Sequence, residues 1–335
     1  MSETPAEVQL LTTISRGVYL TYSIYAAASL GVADSLRNGP RTAEEIAEEV
    51  GAHAPALYRV LRTLASEGIF AADDAGRFEL TDQGRLLGSG PESLRAFAVI
   101  MGESWHHQAW GSFLHGLRTG DNIWAHAHGQ TFFEYFAAHP DRAKMFGEMM
   151  SELSAIEAAG VVTAYPFTGI ETVADIGGGH GLLLSTVLNR HPTMRGILFE
   201  LPHVTPRAEK FLSGEIAART EIVSGDMFES VPAGADAYLL KNILHDWDDD
   251  RAVAILSQVR RVMKPDAKVL VLQDVITPGN APSYGKLLDI MMILIGGRER
   301  TRPEYERLFE RAGLRVTAVL DTPAPIHVIE GVMLP

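Results

Sequence analysis

The pattern of apolar and polar positions changes along this chain, and the change falls near residue 167. Before it the repeat is helical. Over 55–67, Leu57, Leu61 and Leu64 share one face while Arg59 and Arg62 point elsewhere, which predicts an amphipathic helix. Upstream, Thr42 and Glu45 form a capping-box pattern opening a short helix over 43–49, closed by Gly51. Two short apolar runs, 69–71 and 78–80, flank a DDAG turn at 73–76. Helix, turn, helix and hairpin is the order of a winged helix. The uncharged stretch 17–33 contains Thr21, Ser23 and three tyrosines; it is too short for a bilayer span and reads as a buried helix. From 91 to 165 the chain is helical and aromatic-rich.

After 167, short β-rich runs at 172–176, 196–200, 220–226, 236–241 and 268–274 alternate with helices. Such alternation predicts a parallel sheet wrapped by helices. The last two strand candidates, GLRVTAVL and PIHVIEGV, are joined by a loop containing Pro323 and Pro325 that is too short for a crossover helix. They must pair antiparallel or part company.

Composition narrows the function classes. The chain has 335 residues, 46% apolar and 21% charged, with no cysteine and a net charge of −13. That charge opposes general nucleic-acid binding, which rests on clustered Lys and Arg. The winged helix offers little beyond Arg59 and Arg62, so it reads as a packing module. Without cysteine there is no disulfide or thiol nucleophile, which fits a reducing compartment. The start, MSETPAEVQ, is acidic and polar rather than a secretory signal, and a soluble cytoplasmic protein is expected. His106, His107, His126 and His128 lack a carboxylate at ligand spacing; they read as solvated or core residues, and no metal is expected.

The run 172–176 leads into GGGHG, 177–181. A glycine-rich turn between strand and helix lets a ligand approach the backbone closely. The dinucleotide pattern fails at Leu182, where its third glycine should stand, and no Lys-Ser/Thr follows to make a P-loop. Instead Asp175, Glu200 and Asp226 end three successive strands. Three acids around one cleft repel a pyrophosphate and suit a cationic, hydroxyl-bearing ligand, which S-adenosylmethionine is.

VADIGGGHG, FELPHV, GDMF, LLKNILHDWDDD and GGRERT, in this order and spacing, resemble the S-adenosylmethionine-dependent O-methyltransferases of the caffeic acid O-methyltransferase type, including their bacterial natural-product branch. The resemblance covers nearly the whole chain. It implies a Rossmann-like class I methyltransferase sheet, parallel with one antiparallel strand, plus an all-α winged-helix N-terminal dimerisation domain. The expected domains are 1–100 for dimerisation, 101–165 as a helical linker contributing to the substrate pocket, and 166–335 for catalysis. It also places the uncharged stretch 17–33 in a homodimer interface.

Carried over residue by residue, the resemblance implies that Gly177 and Gly179 meet the cofactor's methionine end. Glu200 accepts from the ribose hydroxyls, where the family usually has Asp. Asp226 and Met227 hold the adenine, and Lys241 and Ser154 contact polar groups of the cofactor. His245 is the general base, flanked by Glu299 and Glu330. Phe146, Met150, Trp247 and Met292 line the acceptor pocket, suited to a small aromatic substrate. A histidine base fits the chemistry, because an attacking phenol must lose its proton and an imidazole is available unprotonated near neutral pH.

The acids after His245 have a plainer reading. Asp246, Asp248 and Asp250 begin like a calcium loop, but Arg251 and Ser257 stand where Gly and Glu belong. They are expected to cap and start a helix over 251–263. The rival functions on this fold are N-methylation of a heteroaromatic ring, a divergent decarboxylation or hydroxylation, and, more distantly, a winged-helix DNA-binding regulator.

Overall fold

The computed structural model describes residues 4–335, apart from the side chains at 207, 209 and 210. Two compact units result: Met1–Gly111 with Phe133–Leu153, and Ser112–Phe132 with Ser154–Pro335. The stretch 101–165, expected as one linker, is therefore shared between them.

In the first unit, helices Ala43–Val50 and Ala54–Ser66 precede the hairpin of β1 (Phe70–Ala72) and β2 (Phe78–Leu80). Thr42 Oγ1 accepts from Glu45 N–H, and the Glu45 carboxylate accepts from Thr42 N–H. Leu57, Leu61 and Leu64 are buried in one cluster with Ile46, Phe70 and Phe78, each contributing about 1.5–3 kcal/mol of burial free energy. The helix Ala6–Leu30 departs from expectation. Of its residues only Ala27 and Ala28 are buried, whereas Leu11 and Tyr19 are 65% and 66% exposed and Leu10, Ile14 and Val18 are exposed beside them. The uncharged stretch is not a buried helix of a single chain. It continues an apolar face that this chain leaves uncovered.

The second unit holds the larger core. Its strands are β3 (Thr172–Ile176), β4 (Arg195–Glu200), β5 (Thr220–Ser224), β6 (Ala237–Lys241), β7 (Lys268–Gln273), β8 (Val275–Ile276), β9 (Arg300–Thr301), β10 (Leu314–Asp321) and β11 (His327–Met333). Among the described residues seven of these form one sheet in the order β10-β11-β7-β6-β3-β4-β5. Only β11 runs antiparallel to both its neighbours. The β8 and β9 pair is a separate parallel ladder, Val275 opposite Arg300 and Ile276 opposite Thr301.

Successive strand residues face opposite cores, as a pleated strand covered on both sides requires. Tyr238, Leu240, Val269 and Val271 pack with the helices Asp249–Val262 and Arg302–Arg311. Leu239, Leu270 and Leu272 pack on the other side with Ala158, Val161, Leu184 and Val187. The strand β3 pairs with β4 on one side and β6 on the other. This is the switch point where an open α/β sheet leaves a crevice at its carboxyl ends.

Candidate active site

At the carboxyl end of β3 the chain turns through Gly177, Gly179 and Gly181 at φ of 68°, 58° and 81°. A Cβ on Gly177 would meet Ile243 Cδ1 at 2.5 Å, so this position requires glycine for both conformation and space. A Cβ on Gly179 would meet nothing within 4 Å, leaving that backbone open to a ligand. Beside it Glu200 accepts from Gly179 N–H at 3.0 Å with Oε2 and from Leu201 N–H at 2.7 Å with Oε1. After β5, Asp226 accepts from Phe228 N–H at 2.8 Å, and Met227 Cε lies 3.4 Å from the Cβ position of Gly177. An open left-handed loop edged by carboxylates and a methionine fits S-adenosylmethionine, a sulfonium cation bearing an amine and a ribose diol.

Asp175 is not part of that rim. It is fully buried, with neither carboxylate oxygen hydrogen-bonded, and a Cβ on Gly178 would sit 2.6 Å from its carboxyl carbon. The loop backbone covers it. Burial pushes its pKa up to about 7, with Lys241 drawing it down and Glu200 pushing it further up. The expectation of three acids ringing one cleft is corrected to two around the opening and one beneath it.

Lys241, the last residue of β6, donates to Ser154 Oγ at 3.0 Å and to Glu157 Oε2 at 2.9 Å. The next residue, Asn242, adopts φ 54°, a left-handed conformation that Asn tolerates better than most residues. Its amide donates to both Glu157 oxygens at 3.1 and 3.0 Å. Glu157 thus ties down the exit of β6. Sequence reasoning missed it, although a lone carboxylate among AI and AAGVVTA was the available signal.

His245 follows in the short 3₁₀ turn Leu244–Asp246. Its Nδ1 lies 2.6 Å from Glu299 Oε1, and its Nε2 lies 3.6 Å from Asp246 Oδ1. Glu299 Oε2 is buried with no partner, and Glu299 N–H donates to Asp289 Oδ1 at 2.8 Å. Burial alone would lower the imidazole pKa. The hydrogen bond to Glu299 and the charges of Asp246, Glu299 and Glu157 outweigh it, and His245 is raised above its ordinary value. The raised pKa of Asp246 comes first from burial. A Cβ on Gly297 would meet His245 O at 2.4 Å and Met292 Cε at 2.5 Å, so the GG of GGRERT lets the two segments touch.

Glu330 is not brought to this histidine. Its carboxylate accepts from Lys268 Nζ at 2.7 Å, Tyr165 OH at 2.6 Å and Thr317 Oγ1 at 2.7 Å. Lys268 starts β7 opposite Ala237, four positions before the Lys241 level, so Glu330 is held near the end of the sheet away from His245. One acceptor-pocket expectation also changes. Met292 is 1% exposed and supports Gly297. Trp247 packs edge-on against Phe228 at 4.9 Å, and the Arg251 guanidinium lies over both rings. Phe146 and Met150 belong to the first unit, on the helix Pro140–Ala164, where Phe146 stacks on Phe136 at 4.7 Å. The aspartates behave as expected: Asp248 caps the helix Asp249–Val262 by accepting from Arg251 N–H, with Asp249 and Asp250 in its first turn.

The fold, the glycine loop and the His245–Glu299 pair beside it are those of a Rossmann-like methyltransferase that uses S-adenosylmethionine. Residues 110–315 match the O-methyltransferase domain model and residues 13–90 the O-methyltransferase dimerisation domain model. The chain belongs to this O-methyltransferase family. It is 40% identical to the phenazine O-methyltransferase PhzM of Lysobacter antibioticus, over 96% of this chain and 95% of that one. Its fold is similar to that of CalO1, a methyltransferase in calicheamicin biosynthesis solved with SAH bound. There the TM-score is 0.91 and the identity 35%, covering 99% of this chain and 100% of that chain. A relative with other chemistry, the 8-amino-8-demethylriboflavin N,N-dimethyltransferase of Streptomyces davaonensis, is 34% identical over 90% of this chain and 88% of that one. Among the described residues no helix is long and apolar enough to cross a membrane.

Proposed function

We propose that this methyltransferase acts on a phenolic hydroxyl of an aromatic or polyketide-like small molecule, with His245 as general base. The observation that carries this reading is the His245–Glu299 pair at the exit of β6, its side chains 12% and 0% exposed, in the same unit as the open glycine loop. Glu299 takes the hydrogen bond from Nδ1, which leaves Nε2 as the bare, proton-accepting nitrogen. S-adenosylmethionine supplies, when bound, a methyl group already activated on a sulfonium. A hydroxyl presented to Nε2 would give up its proton there while its oxygen takes the methyl group, the carbon–sulfur bond breaking to leave a neutral thioether, and Glu299 would stabilise the imidazolium that forms. Gly177, Gly179, Glu200, Asp226, Met227, Lys241 and Ser154 are the residues that would hold the cofactor. Asp175 shapes the loop from below.

Purified protein with methyl-labelled S-adenosylmethionine is expected to label a hydroxyphenazine, a hydroxynaphthoate or an aminohydroxybenzoate. No transfer to any phenol of such a panel would contradict the reading. The N,N-dimethylating relative favours a second one, in which the same base serves an aromatic amine. Paired hydroxy and amino analogues separate the two, and the hydroxy member is expected to react. The exposed apolar face of Ala6–Leu30 lies partly within the dimerisation match and supports a homodimer. Light scattering is expected to give twice the chain mass, and Leu11→Glu with Tyr19→Glu to give one.

A further inference from the structure

The carbonyls on either side of the His245–Asp246 pair are held by one guanidinium. Arg300 Nη1 donates to Leu244 O at 2.7 Å and Nη2 to Trp247 O at 2.8 Å. Nε and Nη2 also reach Asp249 Oδ1 at 3.0 and 2.8 Å. The Arg300 side chain is wholly buried, while that of Asp249 is 45% exposed. The neighbouring backbone supplies a third grip, with Arg298 N–H donating to His245 O at 2.8 Å. Residues 298–300 therefore hold the carbonyls of 244, 245 and 247, and the middle residue offers its carboxylate to the imidazole.

Burying an arginine costs desolvation that an apolar side chain of similar volume avoids, and such replacements elsewhere are often neutral or stabilising. Stability alone is thus a weak reason for an arginine here. What an apolar side chain cannot do is bond two carbonyls that bracket the two residues of the turn. The planar fork of arginine matches such convergent acceptors, and the single ammonium of lysine does not. Glu299 and Arg300 are adjacent, so the clasp on the turn and the carboxylate on the base are set by one backbone segment, pinned in turn by the β8 and β9 ladder.

We infer that Arg300 is a positioning residue: it fixes the turn that carries His245 against the segment that carries Glu299, and so sets the short contact between base and carboxylate. The inference rests on the reading of His245 as base. In Arg300→Lys the charge stays and the fork is lost. With the phenol found active in the labelling assay, kcat is expected to fall at least tenfold while the KM for S-adenosylmethionine stays within threefold. The acid limb of kcat/KM is expected to move to lower pH, because the Glu299 contact that raises the histidine is loosened. Titration of His245 in ¹⁵N-histidine-labelled protein reads the same shift without any acceptor. Asp249→Asn, at an exposed carboxylate, is expected to move both readouts in the same direction by a smaller amount, and it decides the matter if Arg300→Lys does not fold. Unchanged kcat, or a lower kcat with an unmoved acid limb and histidine titration, would overturn the inference. His245→Ala is measured alongside. If it keeps the parent rate, the base reading itself fails; if it is inactive while both clasp variants behave as the parent, only the role of Arg300 fails.

Discussion

Glu299 and Glu330 are both glutamates of the second unit, one directly before β9 and the other within β11, and their surroundings give them opposite characters. Glu330 is saturated: an ammonium, a phenol and a hydroxyl all donate to it. Its pKa is lowered, burial being outweighed by hydrogen bonds from Lys268, Tyr165 and Thr317 and by the charge of Lys268. Glu299 has one imidazole on one oxygen and nothing on the other. The comparison teaches that a carboxylate acts on chemistry through the partners it still lacks. Glu330 is satisfied in place and braces the sheet, whereas Glu299 offers one oxygen to the imidazole proposed as the base and leaves the other without a partner.

The largest effect should come from making the two alike. Glu299→Gln removes the charge, and activity is expected to fall by roughly tenfold to a hundredfold, part of the 10²–10⁴ that a positioned base contributes. In the same variant the acid limb of kcat/KM should move down in pH. The sign follows from the structure: Glu299 raises His245, so its loss lowers it. In the parent enzyme that limb is expected above about 6.5, the ordinary histidine value. A limb below it would mean that burial wins at His245. The smallest effect belongs to Glu330→Gln, with activity within threefold of the parent. Its stability loss, read by urea unfolding, is expected to be about 1 kcal/mol for a weakened hydrogen-bond set. Because the folded pKa of Glu330 is depressed, that loss should be full above its unfolded pKa and vanish as pH falls through the folded value. A catalytic collapse in this variant would erase the distinction between the two glutamates.

Much of this arrangement could be read from the chain. The short β-rich runs after 167 marked the strands because covered strands need continuous apolar segments, and the glycines of 177–181 announced a backbone approach. His245 and Glu299 were legible through motif order. What could not be read was anything set by convergence of distant segments. Glu157, Asp289 and Arg300 act on residues 84, 10 and 56 positions away, and no local pattern encodes such pairs. Glu330 was misplaced because strand register decides which end of the sheet a side chain serves. Met292 was misplaced because a methionine stripe at helical spacing does not show which face is covered. The stretch 17–33 was read as a buried helix for a related reason, since the apolar face of the helix that carries most of it lacks a cover within one chain.

The central claim is that His245 removes the acceptor's proton, and the rate of His245→Ala across pH tests it most directly. A phenol with a pKa of about 10 ionises unaided as pH rises, and a phenolate needs no base. Single-turnover methyl transfer in His245→Ala should therefore be lowest near pH 7 and climb toward the parent rate at pH 9 to 10, tenfold per pH unit, while the parent stays flat above its acid limb. A deficit that stays constant over this range, or a parent-like rate at pH 7, would contradict the account.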